Sequence, residues 1–313
     1  MDACLLGCMI KDSFTQYCGY KKEKKMELGK VYITGAGPGD PELITLKALN
    51  KLKHADVVVY DRLINNDLLS YCKDGCEKIF VGKESGYHPI EQEKIIEILI
   101  NKSKLGFTVV RLKGGNPFVF GRGSEEAAAL KKAGIEFEII PGLTSGLSAP
   151  VYSGIPITQR GLITQCVLIT AHECPGKPET QVEWEKLAKL KNTNLIIYMG
   201  ASRIERICGE LIKHGMKPSM PAAAVENGTL PEQRTITGRL DEIAEEFTKQ
   251  NFRAPVIIVI GPTVPLRGEI SWFEQIASSN KEIDTYAAGE FLNVPAEKTE
   301  EESGELQVLQ HTL

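Results

Sequence analysis

Short, almost wholly apolar runs alternate with segments of helical periodicity through the first half of the chain. The runs predict strands at 31–35, 55–60, 78–81, 107–112 and 136–140, and the periodic segments predict helices at 41–53, 64–72, 90–104 and 123–133. Apolar strands separated by helices imply a mostly parallel sheet covered on both faces. Residues 141–162 break the alternation: Gly142, Gly146, Gly154 and Gly161 are interleaved with Pro141, Pro150 and Pro156. Such a stretch reads as a connection lying over a site. The pattern then resumes, with strands near 165–171, 194–199, 221–226, 233–238 and 255–260 and helices near 182–190, 202–214 and 239–249.

The expected architecture is therefore α/β. A flexible leader at 1–29 precedes an N-terminal α/β domain at 30–141, an inter-domain connection at 142–162 and a C-terminal α/β domain at 163–273, with an acidic, disordered tail at 274–313. The leader ends in KKEKK just before Met26, which is a candidate start. Residues 282–313 carry Glu282, Asp284, Glu290, Glu297, Glu300, Glu301, Glu302 and Glu305 against Lys298 alone, a solvated composition. A ligand is expected between the two domains, because domain interfaces are favoured pocket sites.

Composition narrows the function classes. Hydrophobic content of 42% and charged content of 25% are globular values. A net charge of −4 and a pI near 5.9 argue against a nucleic-acid partner as the default. No apolar run approaches the ~18 residues that a membrane span needs. The eight cysteines form no C-x-x-C pair and lack histidines at ligand spacing, so reduced thiols in the cytoplasm, and no metal, are expected.

The candidate chemistry begins at VYITGAGPGD, where an apolar strand enters a loop holding Gly35, Gly37 and Gly39. Without Cβ atoms the backbone can approach a ligand closely there. A dinucleotide fingerprint is excluded, because Asp40 stands where its third glycine belongs and Pro38 removes an amide that a pyrophosphate would use. A second motif, VVRLKGGNPFVFGRGSEE, runs from a strand through two glycines and an aromatic wall into a helix. Glu125 and Glu126 sit in that helix's first turn, where acids suit the positive helix end. This second loop fits an adenine or an amino-acid group better than a phosphate. Asp61 closes the strand DVVVYD and is, on pattern alone, either a turn cap or a chemical group.

GAGPGDPELITLKAL, DVVVYDRL, FVGKESGYH, VVRLKGGNPFVFGRG, PGLTSG, YSGIPITQRG, IIYMG and VENGT occur in this order. Together, over about residues 30 to 273, they resemble the uroporphyrinogen-III C-methyltransferases of the tetrapyrrole methylase family. The resemblance implies two α/β domains with S-adenosylmethionine in the cleft between them, and not a Rossmann dinucleotide fold. It implies a cytoplasmic homodimer that methylates two ring carbons of uroporphyrinogen III, leaving S-adenosylhomocysteine and giving precorrin-2 for sirohaem and cobalamin. It maps cofactor contacts onto Pro38, Gly114, Gly115, Asn116, Val119, Thr144, Ser145, Met199 and Gly228, and departs at Asn116, where the family usually has aspartate. It points to Asp61 as proton acceptor and Lys83 as proton donor. Because uroporphyrinogen carries eight carboxylates, Arg62, Lys83, Arg111, Lys113, Arg122 and Arg160 are candidate substrate contacts, with His88 beside them. The competing expectations are a methylase of the same fold acting on another precorrin, on diphthamide or on ribosomal RNA, and a non-catalytic cofactor-binding protein.

Overall fold

The computed structural model describes residues 28–82, 91–172 and 180–274. Residues 1–27 of the leader, Lys83, His88 and residues 275–313 of the tail lie outside the described residues. Five strands form a first sheet: β1 (Val31–Gly35), β2 (Val57–Tyr60), β3 (Glu77–Phe80), β4 (Val109–Lys113) and β5 (Phe137–Ile140). Their order is β3-β2-β4-β1-β5, and every neighbouring pair is parallel. Three helices connect them: α1 (Leu46–Lys53), α2 (Gln92–Lys104) and α3 (Gly123–Lys132).

Alternation along the strands divides the core between two faces. Val31, Ile33, Val57, Val59 and Val109 pack with Ile95 and Leu99 of α2 and Ala127 and Leu130 of α3. Val58, Val110 and Leu112 point the other way, onto Leu52, Leu68 and Leu69. Burial on both faces is what a parallel sheet with near-continuous apolar strands requires. Each fully buried aliphatic side chain contributes ~1.5–3 kcal/mol.

The second sheet contains β6 (Gln165–Thr170), β7 (Thr193–Tyr198), β8 (Pro221–Glu226), β9 (Arg234–Arg239) and β10 (Val256–Ile260). It is mixed, in the order β6-β7-β10-β8-β9, with only β6 and β7 parallel. Three helices, α5 (Trp184–Ala188), α6 (Ile204–Lys213) and α7 (Ile243–Lys249), cover one face through Trp184, Ile207, Leu211, Ile243 and Phe247.

The other face of this sheet is covered from the segment 141–162, where the sequence predicts only a connection. It holds a helix, α4 (Ser145–Tyr152), with Pro150 inside it. The helix persists because Ala149 packs on Ile196, Ala223 and Val225, while the side chains of Ser148 and Ser153 donate to the carbonyls of Thr144 and Ala149. The predicted helix at 64–72 is instead a 3-10 turn, Asn66–Tyr71, entered through the Asn65 side chain, which accepts from Asp67 N. The predicted helix at 41–53 begins as a 3-10 turn and becomes α-helical only after Thr45, whose hydroxyl accepts from Ala48 N.

At the C-terminal edge of the first sheet the chain leaves β1, β4 and β5 through Gly35, Gly115 and Gly142. A Cβ on Gly142 would lie 2.3 Å from Gly115 O, and one on Gly35 would lie 2.6 Å from both Gly115 O and Gly142 N. Three backbones therefore touch at one point. Substitution of Gly142 by alanine is expected to cost ~1–3 kcal/mol by overpacking. Denaturant unfolding of the G142A variant checks this, and an unchanged midpoint would contradict it.

Candidate active site

β1 and β4 are neighbours, yet their connections leave toward opposite ends of the sheet, β1 toward β2 and β4 toward β5. A crevice opens outside the carboxyl ends of such strands. The two glycine loops meet there: Gly37 N donates to Gly115 O at 3.3 Å, and Gly115 N donates to Gly37 O at 2.7 Å. Gly37 has φ +84 and Gly115 φ +66, conformations that glycine adopts without cost. Asn116 continues the floor. Its Nδ2 donates to Gly142 O at 3.0 Å, and its Oδ1 accepts from Phe118 N at 2.9 Å.

The loops then reach the second sheet. Val119 packs on the core under α4, and the Phe120 ring meets Tyr198 edge-on at 5.0 Å. The Tyr198 hydroxyl shares a hydrogen bond with Thr144 Oγ1 at 2.8 Å and accepts from Gly146 N at 3.0 Å, pinning the start of α4. Burial raises the Tyr198 phenol above its ordinary range. Met199 follows in a left-handed conformation, φ +55, with its side chain half exposed. Such a conformation costs ~1–3 kcal/mol and concentrates at functional sites.

A further tie joins the first glycine loop to the far side. Asp40 N donates to Thr229 Oγ1 at 3.0 Å, and Tyr152 OH donates to Asp40 Oδ2 at 2.9 Å. Burial, reinforced by that bond to Asp40, pushes the Tyr152 phenol up. Gly228 lies in the same turn, close enough to α4 that a Cβ would be 2.3 Å from the Ala149 Cβ. Pro38 lies in the first glycine loop, Gly114, Gly115, Asn116 and Val119 in the second, Thr144 and Ser145 at the head of α4, and Met199 and Gly228 just beyond the ends of β7 and β8.

At the ends of β2 and β4 stands a buried charge cluster. Arg111, only 1% exposed, donates through Nη2 to Asp61 Oδ1 at 2.6 Å, through Nη1 to Val59 O and Leu112 O, and through Nε to Glu126 Oε1 at 3.1 Å. Lys113 Nζ lies 3.0 Å from Glu126 Oε1 and 3.9 Å from Asp61 Oδ2. Burial, with the Arg111 charge beside it, holds the Lys113 ammonium below the usual lysine range. Asp61 keeps part of its side chain exposed, so the cluster presents one carboxylate outward.

This geometry sorts the expected substrate cations. Arg62 and Arg160 are exposed, and Arg122 is exposed and paired with Glu125 at 2.8 Å. Arg111 and Lys113 turn inward instead, because their β4 positions are covered by α2 and α3 and the carboxylates of buried Glu126 and half-buried Asp61 meet them. Nothing brings Arg160 into contact with the cluster among the described residues. Three participants escaped the sequence reading: Glu126, Tyr198 and Tyr152. Glu126 was assigned to the helix end with Glu125, yet it is fully buried. The missed signal was VVRLK itself, since two cations two residues apart on an apolar strand share a face and demand a buried anion. Among the described residues no group of three or more His, Cys, Asp and Glu is placed to hold a metal ion.

Comparison with known proteins adds an independent line. The family model for tetrapyrrole (corrin/porphyrin) methylases matches residues 30–244. The chain is 46% identical over 237 residues to the uroporphyrinogen-III C-methyltransferase of Priestia megaterium, covering 76% of this chain and 99% of that one. It is 44% identical over 244 residues to the siroheme synthase of Acinetobacter baylyi, covering 78% of this chain and 53% of that protein, so it spans about half the length of that relative. The uroporphyrin-III C-methyl transferase from Thermus thermophilus complexed with S-adenyl homocysteine superposes with a TM-score of 0.65 at 38% identity, over 76% of this chain and all of that one.

Tyr198 is the hinge point between the aromatic loop and α4. Replacing it with phenylalanine keeps the ring contact with Phe120 but leaves Gly146 N without its acceptor. The expected loss is ~1–3 kcal/mol of stability. Thermal and denaturant unfolding of the Y198F variant measure it, and wild-type stability would show that the hydroxyl is dispensable.

Proposed function

The chain belongs to the tetrapyrrole methylase family, and we propose that it places two methyl groups from S-adenosylmethionine on ring carbons of uroporphyrinogen III, giving precorrin-2 for sirohaem or cobalamin. The observation that carries this reading is the joined pair of glycine loops at the carboxyl ends of β1 and β4. Its floor is bare backbone and one amide, because the loops leaving β1, β4 and β5 pack directly on one another through Gly35, Gly115 and Gly142. Arg111 and Lys113 of β4 are turned inward and paired. A neutral floor with a carboxylate beside it suits a cofactor that carries a sulfonium cation better than one that carries a pyrophosphate.

Pro38, Gly114, Gly115, Asn116, Val119, Thr144, Ser145, Met199 and Gly228 would hold that cofactor, chiefly through backbone groups and the apolar surfaces of Val119 and Met199. When bound, S-adenosylmethionine supplies a methyl group on a good leaving group. Asp61, held by Arg111 at 2.6 Å, accepts the proton that a pyrrole releases when its ring carbon is alkylated. Lys83 is the residue that the family resemblance assigns as proton donor. Arg62, Arg122 and Arg160 are the exposed cations that would face substrate carboxylates, each exposed pair contributing ~0–1 kcal/mol.

The reading carries with it a homodimer in the cytoplasm. Leu147 and Val151 lie one turn apart on the exposed side of α4, and the Trp272 indole N–H donates to Val151 O at 3.2 Å. A second copy would cover this apolar face. Among the described residues no helix is long and apolar enough to cross a membrane, and Cys72, Cys76, Cys166 and Cys208 are free thiols.

Anaerobic incubation with uroporphyrinogen III and methyl-labelled S-adenosylmethionine, followed by mass spectrometry, is expected to show a gain of two methyl groups. Transfer to a different acceptor, with none to uroporphyrinogen, would sink the assignment. Asp61→Asn is expected to lower kcat about 10²–10⁴-fold while S-adenosylhomocysteine still binds. Full turnover by that variant would remove Asp61 from the chemistry.

A further inference from the structure

Glu126 is fully buried on α3, and its two oxygens are used very unequally. Oε1 accepts from Arg111 Nε at 3.1 Å, from Lys113 Nζ at 3.0 Å and from Gln92 Nε2 at 3.0 Å. Oε2 has no hydrogen-bond partner among the described residues. A buried polar atom left unpaired is costly, so an arrangement that tolerates it is set by something other than pairing every atom. What this arrangement does is bring one carboxylate oxygen to the point where two cations meet.

The guanidinium of Arg111 is planar and rigid, so fixing Nε on Glu126 also fixes the direction of Nη2. Nη2 is the atom that holds Asp61. Val59 O and Leu112 O take Nη1 and complete the orientation. Lys113 sits between the two carboxylates but nearer Glu126, at 3.0 Å against 3.9 Å to Asp61 Oδ2. Two cations and two anions therefore balance, and Asp61 remains paired with Arg111 alone at hydrogen-bond distance.

We propose that Glu126 is a positioning residue for the methyl transfer: it retains Lys113 and orients Arg111, so that the Asp61 carboxylate stays turned toward the cleft. The inference rests on Asp61 being the proton acceptor. Without the Glu126 charge, the nearest anion to Lys113 is Asp61, and the ammonium draws that carboxylate inward. The role is one of charge balance rather than shape, because glutamine preserves the volume and the Oε1 acceptor but not the charge. Removing one partner of a buried ion cluster leaves an uncompensated charge, which the remaining groups must move to meet.

The test compares wild type, Glu126→Gln, and the double variant Glu126→Gln with Lys113→Met, which returns the cluster to one cation and one anion. Displacing a reacting group by about 1 Å can cost about 100-fold in rate, and E126Q is expected to lose kcat on that order. KM for both substrates and the calorimetric affinity for S-adenosylhomocysteine should stay at wild-type values. The double variant should recover most of the lost kcat, and should fold even if E126Q does not. Wild-type kcat in E126Q overturns the proposal. So does a folded double variant that is as slow as E126Q, or a double variant that fails to fold, since balanced charge would then not be what matters. Asp61→Asn, assayed alongside, separates the two claims. If it turns over normally, the role of Asp61 fails; if it is inactive while E126Q is unaffected, only the role of Glu126 fails.

Discussion

Two cations on one face of a central buried strand are the constraint around which the first half of this molecule is arranged. A guanidinium or ammonium away from water carries a penalty of several kcal/mol unless it is paired and hydrogen-bonded. Arg111 and Lys113 of β4 are both almost fully buried, so anions must come to them. α3 supplies Glu126 from one side and the end of β2 supplies Asp61 from another. Gln92 of α2 completes the contact by donating to Glu126 at 3.0 Å. The placing of two helices and one strand end thus follows from satisfying two side chains. The one carboxylate left partly open to solvent is the one at the mouth of the crevice.

The second sheet is tied to the first through the two glycine loops. Because Gly35, Gly115 and Gly142 allow three backbones into contact, the loops after β1 and β4 lie flat enough for their tips to reach across. Asp40 meets Thr229 and Tyr152, and Phe120 meets Tyr198, so each glycine loop is fastened to the other half at its far end. α4 mediates both fastenings: its first turn is held by Tyr198 and its last residue is Tyr152. Backbone freedom at a few positions and aromatic anchors at a few others together shape a cleft whose walls come from two sheets.

Much of this was legible in the chain. Strand and helix positions followed from apolar periodicity, since VVVY and VVRLK are continuous runs that only a sheet buried on both faces accommodates. The glycine loops were legible because missing side chains leave few alternatives. α4 was not, because Gly146 and Pro150 carry poor helix propensity, and its stability comes from packing on Ile196, Ala223 and Val225, which lie far along the sequence. The mixed character of the second sheet was equally hidden, as strand direction depends on partners that no local pattern names. Glu126 was misread for a similar reason. A glutamate in a first helical turn has a sufficient local explanation, and only the position of β4 beneath it shows that a second one applies.

At Asn116, where the family resemblance leads to the expectation of aspartate, the surroundings fix an amide. Both ends of its side chain are taken by backbone partners of fixed polarity, an N–H at Phe118 and a carbonyl at Gly142, so the orientation of the amide is determined. Aspartate could accept from Phe118 N but would set its second oxygen against Gly142 O, with nothing to donate between them. Asparagine closes that gap by itself and ties the loop after β4 to the loop after β5 without help from a ligand. The floor of the cleft is then complete in the protein alone. The paired charge beside it belongs to the Asp61 cluster, where Arg111 and Lys113 meet Asp61 and Glu126.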